Sequence, residues 1–330
     1  MLAAAFLVTA VAGTTAVAAG SSGPTTRNGK AAQLVVNGVA TPTSFAFGAG
    51  QVFFSDGTPP PEAPVGGVYV IKHGAAVKLP GSPPLSFGVT WRQGTLYVSG
   101  PNDILAWSGW NGTTFAHQKT IYTVKSKKFT GFNGLGFGAN GRLYAGVDLG
   151  NGNDHGPATG PFQYDVVSMT ATGKHVKVVA RGMRQPWQLA FPTGSSSPYV
   201  SDLGQDTGAT NAPDFVLRVK QGQNYGFPTC NRTSASACKG DAKPFQSFSA
   251  HTDVMGLGII GKRLFMSEFG AATPAEVASI PLTGGKPRTE LNGFPKGRNV
   301  VGLGVHNGWV YVAEIAAGPT ELGAIYRFKP

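Results

Sequence analysis

The chain has 330 residues, enough for one large domain or two of ordinary size, and its 48 glycines, 24 prolines and 13% charged residues are typical of a turn-rich β protein. The formal charge is +11, but the lysines and arginines are spread along the sequence apart from the run Lys125–Lys128. Because nucleic-acid recognition needs basic residues gathered into a stripe or patch, this distribution predicts no nucleic-acid partner.

The chain begins with an apolar run over residues 2–12, followed by small residues at 16–18. This pattern is typical of a secretory signal peptide, and the run is shorter than the ~20 residues of a membrane-spanning helix. We therefore predict a secreted protein without a membrane span. Its expected parts are a signal peptide over 1–19, a flexible N-terminus over 20–31 and a single domain over 32–330.

The two cysteines of the chain, Cys230 and Cys238, lie close together in the polar segment CNRTSASAC. A structural zinc site needs four ligands, and neither a third cysteine nor a histidine lies at a suitable spacing. Because disulfides persist in exported proteins, the sequence favours a local Cys230–Cys238 disulfide. Two free thiols are the alternative.

From residue 43 onwards one unit recurs six times: an alternating apolar run, a turn, and a second apolar run that contains an aromatic residue. The alternation on both sides of a turn predicts a β-hairpin in each copy. The aromatic residues that mark the copies are Phe53, Tyr97, Tyr144, Tyr199, Phe265 and Tyr311.

A second hairpin follows in most units, such as GGVYVIKHGAAVKL in the first. Four strands repeating every ~45–55 residues are the pattern of a β-propeller blade. The sixth unit ends on GAIYRFKP, too short for a second hairpin, and the segment AQLVV at residues 32–36 supplies the missing strand. The sequence therefore predicts an all-β, six-bladed propeller with four-stranded antiparallel blades, closed by the N-terminal strand.

In five of the six units an acid follows the second strand; these acids are Asp56, Asp148, Asp202, Glu268 and Glu314. Equivalent positions in a propeller form a ring around its axis, and like charges held together are costly unless a cation or a basic group offsets them. We expect these acids near the mouth of the central channel, as a site for a cation or a polar ligand. The alternative is that each acid only caps its own turn.

The segments ARGMRQPWQLAF (180–191) and QGQNYGFP (221–228) resemble the glucose/sorbosone dehydrogenase-like family of six-bladed quinoproteins. That family carries Arg-Asn-Pro-x-Gly-Leu-Ala before the equivalent strand and Gly-x-Asn-Tyr-Gly-Trp-Pro further on. The residues that match are Arg184, Pro186, Leu189, Ala190, Gly222, Asn224, Tyr225, Gly226 and Pro228. Gln185 stands where the family has Asn, and Gln188 stands where it has Gly.

The resemblance implies pyrroloquinoline quinone (PQQ) bound with Ca²⁺ at the channel mouth, and oxidation of the anomeric carbon of a sugar. The residues expected to contact the quinone are Arg184, Gln185, Trp187 and Gln188. The residues expected near the calcium are Asp202, Leu203 and Gly204, with Asp56, Glu268 and Glu314 added from the acid ring. From the residues alone, Arg184 is equally well explained by an ion pair with Asp202.

The general base of the family is missing, because counting back from Leu135 to its expected position gives Thr130. A hydride abstraction needs a base within hydrogen-bond reach, and the remaining candidates at the mouth are His251 and Asp148. Three functions therefore stay open. They are a PQQ- and Ca²⁺-dependent aldose dehydrogenase, a non-catalytic propeller that binds a sugar or a protein, and a Ca²⁺-dependent lactonase of the gluconolactonase kind. The sequence does not determine the oligomeric state.

Overall fold

The computed structural model describes residues 23–60, 62, 65–149, 156–205, 211–233, 238–271, 273–316 and 321–330. These residues form six antiparallel sheets without an α-helix, so none of the described segments is a helix that crosses a membrane. The signal peptide predicted over 1–19 lies outside the described residues. The all-β, six-bladed prediction is confirmed.

Each of the first three blades is a meander of four consecutive strands, preceded in the chain by β1 (Thr25–Thr26) and β2 (Gln33–Val39). Blade 1 contains β3 (Pro42–Gly48), β4 (Gln51–Asp56), β5 (Gly67–Lys72) and β6 (Ala75–Lys78). Blade 2 contains β7 (Val89–Arg92), β8 (Thr95–Ser99), β9 (Asp103–Trp110) and β10 (Phe115–Thr123). Blade 3 contains β11 (Phe132–Phe137), β12 (Leu143–Val147), β13 (Val166–Met169) and β14 (Lys177–Ala180).

The last three blades follow the same order, and the sixth borrows its fourth strand from the N-terminal segment. Blade 4 contains β15 (Pro186–Ala190), β16 (Tyr199–Asp202), β17 (Phe215–Arg218) and β18 (Gln246–Ser247). Blade 5 contains β19 (Val254–Ile260), β20 (Arg263–Glu268), β21 (Glu276–Pro281) and β22 (Arg288–Asn292). Blade 6 contains β23 (Arg298–His306), β24 (Trp309–Ala316) and β25 (Gly323–Phe328), completed by β2.

The N-terminal segment closes the ring as predicted, since β2 pairs with β25 from Gln33↔Arg327 to Val39↔Gly323. It also makes a contact that the sequence analysis did not predict. Strand β1, within the segment expected to be flexible, pairs with β22 and extends blade 5 to five strands. The N-terminal segment therefore ties blade 5 to blade 6.

The innermost strands pack around the axis by setting a small residue of one blade against large residues of the next. A Cβ atom on Gly136 would lie 2.8 Å from the ring of Phe191, and one on Gly258 would lie 2.5 Å from Val305. The small residues at this position in the six inner strands are Ala46, Thr90, Gly136, Ala190, Gly258 and Gly304. The inner strands can therefore approach one another only because these side chains are short.

Serine side chains of the second strand join neighbouring blades. Ser201 Oγ accepts a hydrogen bond from the backbone N–H of Gln188 (3.1 Å) in its own blade. The same hydroxyl donates to Met255 O (2.6 Å) in the next blade. Ser267 repeats the pattern one blade further on, where its Oγ donates to Val301 O (2.6 Å). The backbone N–H and C=O groups bound by these serines lie at bulges in the inner strands. The serines therefore satisfy backbone groups that the sheet leaves unpaired.

A buried carboxylate holds the N-terminal segment on blade 5. The Glu290 side chain is fully buried in β22 and forms ion pairs with Arg27 (3.4 Å), Arg288 (2.7 Å) and Arg263 (3.9 Å), and it also accepts a hydrogen bond from Ser279. Because Arg27 directly follows β1, this cluster connects the added strand to the blade.

We expect Glu290→Gln to lower the free energy of unfolding by about 2 kcal/mol, because charge-assisted hydrogen bonds to a buried group are lost. Urea denaturation monitored by circular dichroism measures this change. The matched control is Glu321→Gln, whose side chain is 65% exposed and which should change stability by less than about 0.5 kcal/mol. Equal effects of the two substitutions would contradict a structural role for the buried cluster.

Candidate functional site at the channel mouth

The acids that follow the second strands occupy equivalent positions in their blades. Asp56, Asp202, Glu268 and Glu314 pair in register with the first or third residue of the inner strand, namely Pro42, Pro186, Val254 and Val300. Asp148 comes one residue after β12. The second strand of every blade ends on the same face of an antiparallel ring, and we call this face the acid face.

Local donors satisfy the acid of blade 1. Asp56 accepts hydrogen bonds from the Thr41 amide (2.9 Å), the Thr58 amide (3.0 Å) and the Thr58 hydroxyl (2.6 Å). Burial raises the pKa of Asp56 above its usual value, although these hydrogen bonds lower it. The geometry is that of a carboxylate capping its own turn.

The acids of blades 5 and 6 also have neighbours in their own blades. Burial raises the pKa of Glu268 to about 7, and the opposing carboxylate of Glu276 contributes to this rise. Glu314 lies 3.8 Å from Arg298, which lowers a pKa that burial raises. Within the described part of the chain, no three His, Cys, Asp or Glu side chains lie close enough together to hold a metal ion. The calcium site remains a prediction.

Arg184 and Asp202 form a buried polar layer at the start of blade 4. Arg184 Nη1 donates to Gly204 O (2.5 Å), and the Gly204 amide donates to Asp214 Oδ1 (2.6 Å). Burial raises the pKa of Asp202 to about 7. The backbone N–H of Gln185, which donates to Asp202 Oδ1 (2.8 Å), and the Arg184 guanidinium both lower this pKa. This layer also lines a partly open cavity of about 20 Å³, large enough for about one water molecule.

Gln188 closes the central channel. At its position in the inner strand the other five blades carry a residue with a short side chain or none: Ser44, Gly88, Gly134, Gly256 and Gly302. The Gln188 side chain instead crosses the axis, where Nε2 donates to Thr43 O (3.2 Å) of blade 1 and to Phe87 O (2.9 Å) of blade 2. On the far side of Gln188 the channel opens to about 340 Å³ between the ends of the inner strands.

The seam between blades 3 and 4 gathers buried polar atoms. Asn133 Nδ2 donates to Asp148 O (2.5 Å) and to Pro186 O (2.9 Å), which links the two blades. Among the described residues, however, no hydrogen-bond partner is found for Asn133 Oδ1, Thr130 Oγ1 or Trp187 Nε1. The indole of Trp187 packs edge-on against Phe87, at 5.4 Å between ring centroids.

The two predicted catalytic residues lie in different surroundings. Asp148 is fully buried at this seam, and its Oδ2 accepts a hydrogen bond from Gln163 Nε2 (3.2 Å). His251 is half-buried before blade 5, and its Nε2 lies 2.8 Å from Asn211 Oδ1. A role in catalysis stays a prediction for both residues.

Sequence reasoning missed Asn133, although a signal was present. In the alignment of the six inner strands it is the one carboxamide at a position otherwise occupied by Thr43, Phe87, Trp187, Met255 and Val301. The predicted disulfide is confirmed: Cys230 and Cys238 are joined, and Cys230 lines the small cavity beside Arg184.

We expect Asp202→Asn to flatten the pH dependence of stability. The pKa of Asp202 rises from its usual 3.8 to about 7 in the folded chain, so folding is penalised increasingly as pH rises from about 4 to about 7. The wild-type Tm should therefore fall more than that of the variant between pH 5 and pH 8. The exposed Glu62→Gln serves as control, and parallel curves for Asp202→Asn and wild type would contradict the prediction.

No protein-family model and no curated protein matches the sequence, but solved structures match the fold. The PQQ-bound form of an aldose sugar dehydrogenase from Streptomyces coelicolor is similar over 90% of this chain and 97% of its own, with a TM-score of 0.69 and 16% identity. A putative oxidoreductase (glucose dehydrogenase) from Thermus thermophilus is similar over 90% of this chain and 99% of its own, with a TM-score of 0.65 and 14% identity. The calcium-binding protein regucalcin from Agrobacterium tumefaciens is similar over 90% of this chain and 93% of its own, with a TM-score of 0.60 and 12% identity. At these identities the similarity shows a shared six-bladed propeller fold.

Proposed function

We propose that the protein is a secreted propeller, related to the glucose/sorbosone dehydrogenase-like proteins, that binds a sugar or a sugar-derived polyol on its acid face. The observation that carries this proposal is a set of three buried atoms without a hydrogen-bond partner among the described residues. Thr130 Oγ1 lies just before the inner strand of blade 3, Asn133 Oδ1 lies in that strand, and Trp187 Nε1 lies in the inner strand of blade 4. Buried polar atoms are almost always hydrogen-bonded, so such a cluster is expected where a ligand or ordered water completes the site.

The chemistry of these three atoms suits hydroxyl groups. The Trp187 indole only donates a hydrogen bond, the Asn133 oxygen only accepts one, and the Thr130 hydroxyl does both. A vicinal diol offers the same mixture, because each hydroxyl is both donor and acceptor. The aromatic pair Trp187–Phe87 adds an apolar surface of the kind that packs against a sugar ring.

The residues that the resemblance assigned to PQQ do not fit that cofactor in this arrangement. PQQ carries three carboxylates, whereas the one cation of the set, Arg184, is buried and donates to Gly204 O. The side-chain amide of Gln185 donates to Leu149 O (3.0 Å), and the side-chain amide of Gln188 donates to two backbone carbonyls across the channel. Among the described residues Trp187 Nε1 lacks a hydrogen-bond partner, so the indole is one donor of the set that a ligand can engage.

A PQQ- and Ca²⁺-dependent aldose dehydrogenase is the second candidate, supported by the fold shared with the PQQ-bound aldose sugar dehydrogenase. Its weakness is the base, since Thr130 is not ionised at neutral pH and Asp148 is fully buried, which leaves the half-buried His251 as the candidate. A lactonase finds support in fold alone, because a putative gluconolactonase is similar with a TM-score of 0.53 and 16% identity.

We expect a panel of aldoses, alditols and aldonolactones to contain a ligand that isothermal titration calorimetry detects. Trp187→Phe keeps the ring and removes the indole donor, so it should weaken binding about tenfold, the equivalent of about one hydrogen bond. The matched control is Trp107→Phe, which removes an indole donor that also lacks a partner among the described residues but lies in the core of blade 2. Equal losses in the two variants, or no binding by the wild type, would contradict the proposal.

We further expect that PQQ with Ca²⁺ leaves the quinone absorbance unchanged when titrated with purified protein, and that no aldose drives dye reduction. The physical reason is that the side chains of Arg184, Gln185 and Gln188 already donate to protein carbonyls. A stoichiometric spectral shift with aldose-dependent dye reduction would establish the second candidate instead. In that case His251→Ala tests whether His251 is the general base, because loss of a general base lowers kcat by about 10²–10⁴-fold.

A further inference from the structure

The face opposite the acid face is built from the connections between first and second strands and between third and fourth strands. We call it the turn face. Its connections comprise residues 49–50, 73–74, 93–94, 111–114, 138–142, 170–176, 191–198, 219–221, 261–262, 282–287 and 307–308, and residues 329–330, which follow β25, lie on the same face. In blade 4 only the start of the long connection between β17 and β18 belongs to this face. The chain then runs beside the end of β14, where Asn224 pairs with Arg181, and continues towards the cavity at Asp202.

The turn face is exclusively cationic. None of the connections that form it contains an aspartate or a glutamate, and all of their residues belong to the described part of the chain. The exposed basic residues in these connections or at the strand ends beside them are Lys174, Lys177, Arg218, Lys220, Lys262, Lys286, Arg288 and Lys329. Exposed histidines lie there too, at His73, His175 and His306.

The molecule therefore separates its charge. The acids of the repeating unit all lie on the acid face, and the buried Glu290 of blade 5 is outnumbered by its three arginine partners. The net charge of +11 is consequently carried mainly by one side of a disc. A one-sided field of this kind attracts polyanions and orients them before contact.

We propose that the turn face binds an acidic polysaccharide, independently of the ligand site on the acid face. Six of its eight exposed cations are lysines, which act as hydrated point charges without a fixed hydrogen-bonding geometry. Such charges suit a flexible, hydrated polymer whose carboxylates are repeated along the chain. An exported protein, as the N-terminal sequence predicts, meets polymers of this chemistry outside the cell.

Two other anionic partners fit the face less well. A bilayer would be expected to meet apolar anchors, and the large hydrophobic side chains exposed in the described residues, Leu34, Val77 and Leu322, lie outside these connections. Single-stranded nucleic acid needs free aromatic rings for stacking. Here Trp309 is already contacted by Arg327 and Lys329, at 4.5 and 5.1 Å from the ring centroid, and Trp110 by Lys72.

The test compares two triple variants of equal charge change in the full chain. One is Lys174→Glu/Lys262→Glu/Lys286→Glu on the turn face, and the other is Lys125→Glu/Lys127→Glu/Lys128→Glu in the exposed connection between blades 2 and 3 on the acid face. Alginate is the probe, dextran the neutral control, and duplex DNA and phosphatidylglycerol vesicles are the competing anions. Circular dichroism confirms that both variants fold.

We expect wild type to bind alginate but not dextran, with affinity that falls as salt is raised. The turn-face triple should lose about tenfold or more in affinity, while the acid-face triple loses less than about threefold, because contacts with the polyanion are local. Equal losses would show that only net charge matters and would overturn the proposal. Absence of alginate binding, or tighter binding to DNA or vesicles at the same salt, would overturn it as well.

Discussion

The close approach of the six innermost strands is the constraint on which the rest of the molecule depends. Around the axis each blade presents a short side chain to large residues of its neighbour, as Gly136 does to Phe191. Where the inner strand bulges, serines such as Ser201 bond the backbone of their own blade and the next. Packing and hydrogen bonding thus act on the same inner strands, so a blade cannot shift without leaving both a void and an unpaired backbone group.

This tight axis determines what kind of site the acid face can form. The channel leaves so little room that a single side chain, Gln188, closes it from blade 4 to blades 1 and 2. Groups at the mouth are therefore buried, which raises the pKa of Asp202 to about 7. Three of the buried atoms without a hydrogen-bond partner among the described residues belong to Thr130, Asn133 and Trp187, in or just before the inner strands of blades 3 and 4, which Asn133 joins. A compact hydroxylated ligand is a better match to this seam than a planar tricarboxylate.

The two faces of the disc have different chemistry because the chain visits them alternately. Every second connection lies on the same side, so acids that recur after second strands all reach one face. Lys174, in a third–fourth connection, and Lys262, in a first–second connection, both reach the other face. The ligand binding proposed for one face and the polymer binding proposed for the other are therefore separable, and each can be tested by substitutions that leave the axis unchanged.

The sequence by itself determined the six-bladed ring and its closing strand, because alternation and turn residues are local patterns that repeat with each blade. It also determined the disulfide, because the two cysteines are close together in the chain. It did not reveal β1, since two threonines carry no strand pattern until β22 offers an unpaired edge. It did not reveal the contacts of Gln188 either, because only the ring brings Thr43 and Phe87 within reach of its side-chain amide. The lysines that look scattered along the chain were gathered into one cationic face by the tertiary structure alone, since a meander places residues far apart in sequence on the same side of the disc.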